Sequence, residues 1–268
     1  MKMRVGISGV AGSIFLCLFI AAFIQCEQTQ AFGRTPVIVE LFTSEGCSSC
    51  PPADELLAKL DNTQLIAGAE IIPLELHVDY WNELGWADPF SSSLFSERQN
   101  SYARAFGNGR IYTPQMVVDG GAEFVGSNSG RAYEAISRAA QAPKATIHLM
   151  RSREEGDATK GSVSLRIQMQ GLTSVLREDT AEILLAITED GLSSKVLRGE
   201  NAGQRLFHTG VVRRLDVIGK VNSGQPDIFS VLATAHLEVE WKREHLRAVV
   251  LLQERSSKRV IGAASSSL

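Results

Sequence analysis

Two kinds of hydrophobic periodicity divide the chain. Between residues 36 and 141, short apolar runs alternate with segments whose apolar residues recur every three or four positions. Short apolar runs are typical of buried strands, and the second pattern is typical of amphipathic helices. The pattern therefore predicts strands at 36–42, 70–78, 115–118 and 123–125, and helices at 52–60, 91–106 and 131–140.

After residue 143 the helical period disappears. In the segment 162–170 (SVSLRIQMQ), apolar and polar residues alternate strictly, as in a strand with one buried face. Further strand-like segments follow at short intervals, which favours a β-sandwich. These segments are 145–150, 181–188, 211–215, 231–239, 247–253 and 259–263.

The change of pattern near residues 141–144 predicts two domains, an α/β domain at 32–142 and an all-β, sandwich-like domain at 143–268. The chain has 268 residues, of which 44% are hydrophobic and 21% charged, an ordinary globular composition that leaves room for two domains. Its net charge of −3 argues against a nucleic-acid partner, because proteins that bind nucleic acids usually carry a basic face.

The N-terminal residues 1–31 are predicted to be a signal peptide. Lys2 and Arg4 precede an uncharged, mostly apolar stretch at 5–24, and residues 29–31 (TQA) offer a cleavage site with small flanking residues. We therefore expect a periplasmic or secreted protein. If the segment stayed uncleaved, it would instead anchor the protein in a membrane.

Cleavage would leave Cys47 and Cys50 as the only cysteines, because Cys17 and Cys26 lie in the signal peptide. An exported pair enters an oxidising compartment and can form a disulfide with each other or with another molecule. A structural zinc site usually needs four ligands, and the histidines are scattered along the chain. A clip over so short a loop would stabilise little. The spacing thus favours a redox pair, with no metal and no bound cofactor.

The position of the pair suggests a division of roles. Cys47 follows a predicted strand and precedes a predicted helix, where unpaired N–H groups and the helix dipole lower the pKa of a thiol. Cys50 is expected one turn inside that helix and less exposed. We therefore predict that Cys47 forms the mixed disulfide and that Cys50 resolves it.

Four segments of the chain resemble a family of secreted bacterial thioredoxin-like proteins of unknown function. The resemblance spans nearly the whole mature chain and implies a thioredoxin-like fold for the α/β domain. It is carried by VELFTSEGCSSCPPAD (39–54), HVDYWNELGWADPF (77–90), YTPQMVVDG (112–120) and RGENAGQRLFHTGVVRRL (198–215).

The resemblance also implies roles for three further residues. Pro114 should follow a cis peptide bond and lie against the disulfide, so that the backbone of Thr113 is open to a substrate chain. Glu40 is the candidate for a buried acid that relays a proton to Cys50.

Features next to the cysteines bear on substrate access. Gly46 stands where thioredoxins carry tryptophan, so we expect Cys47 to be accessible. Trp81 and Trp86 follow the second strand, and loops at the carboxyl ends of parallel strands meet at one edge. These tryptophans are candidates for a wall of the substrate groove, with ordinary hydrophobic packing as the alternative.

Together these features predict an exported thiol–disulfide oxidoreductase that acts on protein or peptide thiols and is recharged by a separate redox partner. Two alternatives stay open: a redox-inactive binding or scaffold protein of the cell envelope, and a carrier whose thiolates hold Cu(I). The polar, glycine-rich segment 198–215 is expected at the edge between the domains. A catalytic role for His208 is the less favoured reading of that segment.

Overall fold

The computed structural model of the chain describes Met1 and residues 33–152, 161–177, 180–224 and 226–268. Apart from Met1, the predicted signal peptide at 1–31 lies outside these residues. Gly33–Leu268 forms one compact unit. Within the described part of the chain, no helix has the length and apolar character needed to cross a membrane.

The first half contains all seven elements that the periodicity predicts, with ends that differ by at most three residues. Strands β1 and β2 are parallel, while β3 runs antiparallel to both β1 and β4. The elements are β1 (Thr35–Thr43), α1 (Pro51–Thr63), β2 (Ala69–His77), α2 (Ser93–Ala105), β3 (Gln115–Val118), β4 (Ala122–Val125) and α3 (Ser129–Ala139).

The second half is almost entirely β. It contains β5 (Thr146–Arg151), β6 (Ser162–Gln170), α4 (Leu172–Val175), β7 (Thr180–Glu189), β8 (Leu192–Lys195), β9 (Arg205–His208), β10 (Val211–Asn222), β11 (Phe229–His236), β12 (Leu246–Glu254) and β13 (Val260–Ser267). The pattern predicted β6 and six further strands of this half. It did not predict β8 and β9, which are four residues long and pair with each other.

The expected fold class, a thioredoxin-like α/β domain followed by a separate all-β sandwich-like domain, is wrong. A single mixed sheet of eight strands, in the order β13-β12-β7-β10-β2-β1-β3-β4, continues through both halves. The halves join where β10 runs parallel to β2, with Val211 opposite Glu75. Pairing between strands so distant in the chain leaves no mark on the local hydrophobic period, so the pattern could not reveal it.

Both faces of the large sheet are covered. Helix α2 packs Phe95 and Tyr102 against one face, in a core that includes Ile38 from the first half and Leu251 from the second. On the other face, α1 and α3 cover β1 and β3. A three-stranded sheet, in the order β11-β6-β5, packs on the same side against β7 and β12.

The junction between the two halves allows a test of this architecture. Gly210 immediately precedes β10, has a φ of +64°, and would place an added Cβ 2.9 Å from the carbonyl oxygen of Pro73. We expect Gly210→Ala to lower the free energy of unfolding by about 1–3 kcal/mol or more, because it combines an unfavourable backbone conformation with a clash against backbone. Urea denaturation measures the loss.

Gly68→Ala is the matched control. Gly68 has a similar φ of +76°, but nothing lies within 4 Å of an added Cβ. Its replacement should therefore cost only the backbone term, about 1–2 kcal/mol. Equal losses in the two variants would contradict a tightly packed joint at Gly210.

Candidate functional site

Cys47 and Cys50 form a disulfide, with their Cα atoms 5.4 Å apart. The pair occupies a turn before α1, in which the Cys50 N–H donates to the Cys47 carbonyl oxygen at 3.2 Å. Helix α1 starts at Pro51, and Cys50 is its N-cap. Cys50 therefore lies at the N-terminus of the helix, whereas the spacing predicted a position one turn inside it.

Both cysteines are completely buried, each with 0% of its surface exposed. The expectation that Gly46 leaves Cys47 accessible is therefore wrong. Trp81 lies beside the glycine, because a Cβ on Gly46 would be 3.3 Å from the Cβ of Trp81.

A segment of the second half also covers the disulfide turn. We call residues 199–203 the cover loop. Its Asn201 is buried, and the Nδ2 atom donates to the carbonyl oxygens of Glu45 at 2.9 Å and Cys47 at 3.0 Å. The exposed Glu200 accepts a hydrogen bond from the Ser48 N–H at 2.9 Å. Three hydrogen bonds therefore join the cover loop to the backbone of the disulfide turn.

The peptide bond between Thr113 and Pro114 is cis, as the resemblance implies. A Cβ added to Gly126 would lie 3.1 Å from the Cβ atoms of both Ala53 and Pro114, so Gly126 separates the proline from the first turn of α1. The Oγ1 atom of Thr113 accepts a hydrogen bond from the indole of Trp81 at 2.8 Å. Trp81 thus connects the disulfide turn with the cis-proline segment.

Trp86 contacts both Glu45 and the cover loop. Its indole N–H donates to Glu45 at 2.8 Å, and its Cβ lies 3.2 Å from where a Cβ on Gly199 would be. Both tryptophans are half-buried. Their contact with a substrate stays a prediction.

Glu40 forms hydrogen bonds on the side of the sheet that faces away from the cysteines. Its neighbours in β1, Val39 and Leu41, point toward α1, so Glu40 points to the opposite face of the sheet. There it is buried, accepts a hydrogen bond from Arg98 Nη2 at 2.9 Å and accepts another from the hydroxyl of Tyr102. This placement gives Glu40 a structural ion pair and does not support a proton relay to Cys50.

The buried acid on the cysteine side of the sheet is Asp54. Its N–H donates to the Cys50 carbonyl oxygen at 3.2 Å, and its carboxylate accepts a hydrogen bond from Thr43 Oγ1 at 2.7 Å. Burial, followed by the charge of Glu75, raises the pKa of Asp54 to about 7. Sequence reasoning missed this residue because an aspartate in the first turn of a helix is usually explained by its favourable interaction with the helix dipole.

Three buried residues form a cluster on the same face. Glu75 and His77 occupy alternate positions of β2 and so point to one side, while His208 comes from the end of β9. Glu75 Oε1 lies 2.8 Å from His208 Nδ1 and 3.4 Å from His77 Nε2. One potential ligand atom from each residue lies within 4.8 Å of the others.

Two further carboxylates hold the outer nitrogens of the imidazoles. Asp88 Oδ2 lies 2.7 Å from His77 Nδ1, and Glu45 Oε1 lies 3.0 Å from His208 Nε2. Burial alone would lower the pKa of each imidazole. The acids outweigh it, holding the pKa of His77 well above its usual range and raising the pKa of His208 to about 9.

The cluster was not predicted, because the histidines looked scattered in sequence. One signal pointed to it: Glu75 and His77 interrupt the otherwise apolar end of a buried strand at a spacing of two. Such alternation places both on one face. Their partner His208 lies 133 residues beyond Glu75, and no local pattern links the two.

Comparisons with known proteins agree with this architecture. The sequence model of a family described as "Protein of unknown function (DUF1223)" matches residues 38–253. A crystal structure of a protein from Agrobacterium tumefaciens is similar at 27% identity and a TM-score of 0.64, over 87% of this chain and 94% of that one. HBP35 of Porphyromonas gingivalis is similar at 15% identity and a TM-score of 0.66, over 88% of this chain and 76% of that one.

At 15% identity the second likeness shows the fold alone. The comparison with curated proteins found no significant match.

The raised pKa of Asp54 predicts a pH-dependent effect of Asp54→Asn. Between its ordinary pKa of 3.8 and its folded pKa of about 7, the folded chain keeps a proton that the unfolded chain releases. The stability of the wild type therefore falls as the pH rises through this window. The asparagine variant lacks this loss, so its stability relative to wild type should rise by up to about 4 kcal/mol across the window.

Urea denaturation at several pH values in metal-free buffer measures this difference. Glu55→Gln is the matched control, because Glu55 is an exposed acid on the same helix and its replacement leaves Asp54 in place. A pH-independent difference for Asp54→Asn as well would show that Asp54 ionises normally in the fold.

Proposed function

The chain belongs to DUF1223, a family of proteins of unknown function, and from this starting point we propose that it is a thiol–disulfide oxidoreductase. Its Cys47–Cys50 disulfide exchanges with protein or peptide thiols. The observation that carries the proposal is this disulfide, which lies directly before the N-terminus of α1. A link across three residues adds little stability, which favours reactivity as its purpose.

The proposed reaction transfers two electrons and is reversible. A substrate thiolate attacks Cys47 Sγ, forms a mixed disulfide with it and releases Cys50 as a thiolate, which takes up a proton. A second substrate thiolate then attacks the substrate sulfur of the mixed disulfide and releases Cys47. The substrate leaves as a disulfide and the protein as a dithiol, which a separate thiol–disulfide protein reoxidises. In the opposite direction Cys50 resolves the mixed disulfide.

Asp54 is proposed to handle the proton of Cys50. It lies in the helical turn that follows Cys50, and its pKa of about 7 lets it give up or accept a proton near neutral pH. It would protonate the Cys50 thiolate as that sulfur leaves and take the proton back when Cys50 attacks. This is the role for which Glu40 was the candidate in the sequence.

The substrate platform is proposed at the cis-proline segment. The backbone of Thr113 would pair with an extended substrate chain, and Trp81, which donates to the Thr113 side chain at 2.8 Å, would hold that segment beside the disulfide turn. Because the disulfide is buried, the cover loop must open before a substrate thiol can reach Cys47. An intact disulfide is compatible with the export that we also propose.

A second candidate function is favoured by the same burial. If the cover loop stays closed, the disulfide is inert and the protein is a redox-inactive binding or scaffold protein of the cell envelope. Reactivity of the folded protein toward thiols separates this candidate from the oxidoreductase.

Trapping is the direct test of the proposed roles. In Cys50→Ser, a mixed disulfide at Cys47 cannot be resolved and should accumulate, at least about tenfold more than in Cys47→Ser. The protein is incubated with an oxidised thiol peptide, and the adduct is measured by mass spectrometry. Wild-type turnover of insulin disulfides should be lost in both variants.

Two results would count against the proposal. More adduct in Cys47→Ser than in Cys50→Ser would reverse the roles of the cysteines. Absence of both turnover and adduct, in protein whose folding is verified by circular dichroism, would favour the scaffold protein.

Asn201→Ala tests the cover loop. The substitution removes two buried hydrogen bonds to the disulfide turn, a loss of about 1–3 kcal/mol, and should favour the open state. We expect dithiothreitol to reduce the disulfide about ten- to a hundredfold faster than in wild type, because the open fraction sets the rate. Alkylation of the released thiols over time provides the measurement.

Asn62→Ala is the control for this experiment, because Asn62 is exposed near the other end of α1. Its reduction rate should equal that of wild type. An unchanged rate in Asn201→Ala would show that another part of the protein limits access to the sulfurs.

A further inference from the structure

We propose that Glu75, His77 and His208 bind a divalent transition-metal ion of the zinc class. The ligand atoms would be Glu75 Oε1, His77 Nε2 and His208 Nδ1. The proposal does not depend on the disulfide chemistry, because neither cysteine is among the ligands.

A buried nitrogen without a partner points to a missing ligand. Among the described residues, His77 Nε2 is the buried side-chain nitrogen or oxygen that lacks a hydrogen-bond partner. Its nearest acid oxygen, Glu75 Oε1, lies at 3.4 Å and does not form a hydrogen bond with it. Buried polar atoms in proteins nearly always have a partner, and an ion between these atoms would supply one.

The outer nitrogens of both imidazoles are held as metal ligands usually are. Histidine ligands typically donate their other ring nitrogen to a carboxylate, which fixes the ring and its tautomer. Asp88 does this for His77 at 2.7 Å, and Glu45 does it for His208 at 3.0 Å. As a result, the remaining nitrogen of each ring faces Glu75.

The third ligand is also oriented. Glu75 Oε2 accepts a hydrogen bond from the Thr209 N–H at 2.8 Å, which leaves Oε1 directed at the imidazoles. Two histidines and one carboxylate are a known ligand set for zinc sites that keep one position open. Zinc bonds of about 2.0–2.2 Å place tetrahedral ligands about 3.3 Å apart.

Two of the three distances between ligand atoms can be compared with that spacing. The 3.4 Å between Glu75 Oε1 and His77 Nε2 already fits, and the 2.8 Å to His208 Nδ1 would have to widen by about 0.5 Å. The two imidazole nitrogens lie within 4.8 Å of each other.

The charges of the cluster also suit a divalent cation. Three buried carboxylates, those of Glu45, Glu75 and Asp88, surround the two imidazoles. Their negative charges can compensate a divalent ion. A buried ion without such compensation would be costly.

The test uses the full chain with its disulfide intact, stripped with a chelator and titrated with Zn²⁺ by calorimetry. Elemental analysis after dialysis should give one zinc per chain. His208→Ala and the nearly isosteric Glu75→Gln should each weaken binding at least about a hundredfold, and Asp88→Asn, which removes an outer partner, about ten- to a hundredfold. His148→Ala is the control, because His148 is exposed on β5 and should bind zinc as wild type does.

X-ray absorption spectroscopy at the zinc edge of the wild-type complex identifies the coordinating atoms without the use of a variant. The expected shell contains two imidazoles and oxygen but no sulfur. Sulfur in the shell, a ratio well below one zinc per chain, or full affinity in folded Glu75→Gln would each overturn the proposal. Should the variants fail to fold by circular dichroism, the wild-type stoichiometry and ligand shell still confirm or reject the site.

Discussion

The hydrogen bonds of the buried Glu75 carboxylate connect the two halves of the molecule. Its side chain accepts from His208 and Thr209 at 2.8 Å each, and its own N–H donates to the carbonyl oxygen of Gly210 at 2.9 Å. A carboxylate buried without such partners would cost several kcal/mol. Residues 208–210 supply these partners, so the charge of Glu75 in the first half is satisfied by the turn that starts β10. These contacts lie where the sheet passes from one half of the chain to the other.

The same charge reaches the candidate redox site. Glu75 adds to the burial that raises the pKa of Asp54, while the imidazoles of His77 and His208 oppose it. Burial is thus the main cause of the raised pKa of Asp54, and the cluster from β2 and β9 both adds to it and opposes it. Glu45 belongs to that cluster and lies two residues before Cys47. The buried charges where the two halves meet and the acid next to the disulfide therefore belong to one electrostatic network.

The cover loop gives the second half of the chain a direct part in the site. Asn201 and Glu200 close the disulfide turn with three hydrogen bonds to backbone groups, and no apolar side chain is needed for these contacts. Water can replace such bonds when the loop opens, so local opening costs far less than unfolding the sheet. A burial of 0% for both cysteines therefore describes a closed state and does not by itself make the disulfide unreactive.

The sequence by itself determined the local elements, the pairing of Cys47 with Cys50 as a candidate, and, through the resemblance, the cis bond before Pro114. Apolar periods of two and of three to four depend on neighbours a few positions away, so they report strands, helices and buried faces directly. Only the tertiary structure decided that the halves share a sheet, that Glu40 faces α2, and that His208 meets Glu75. The reason is physical: edge pairing and charge pairing join groups more than a hundred residues apart, and no local pattern records which partners will meet.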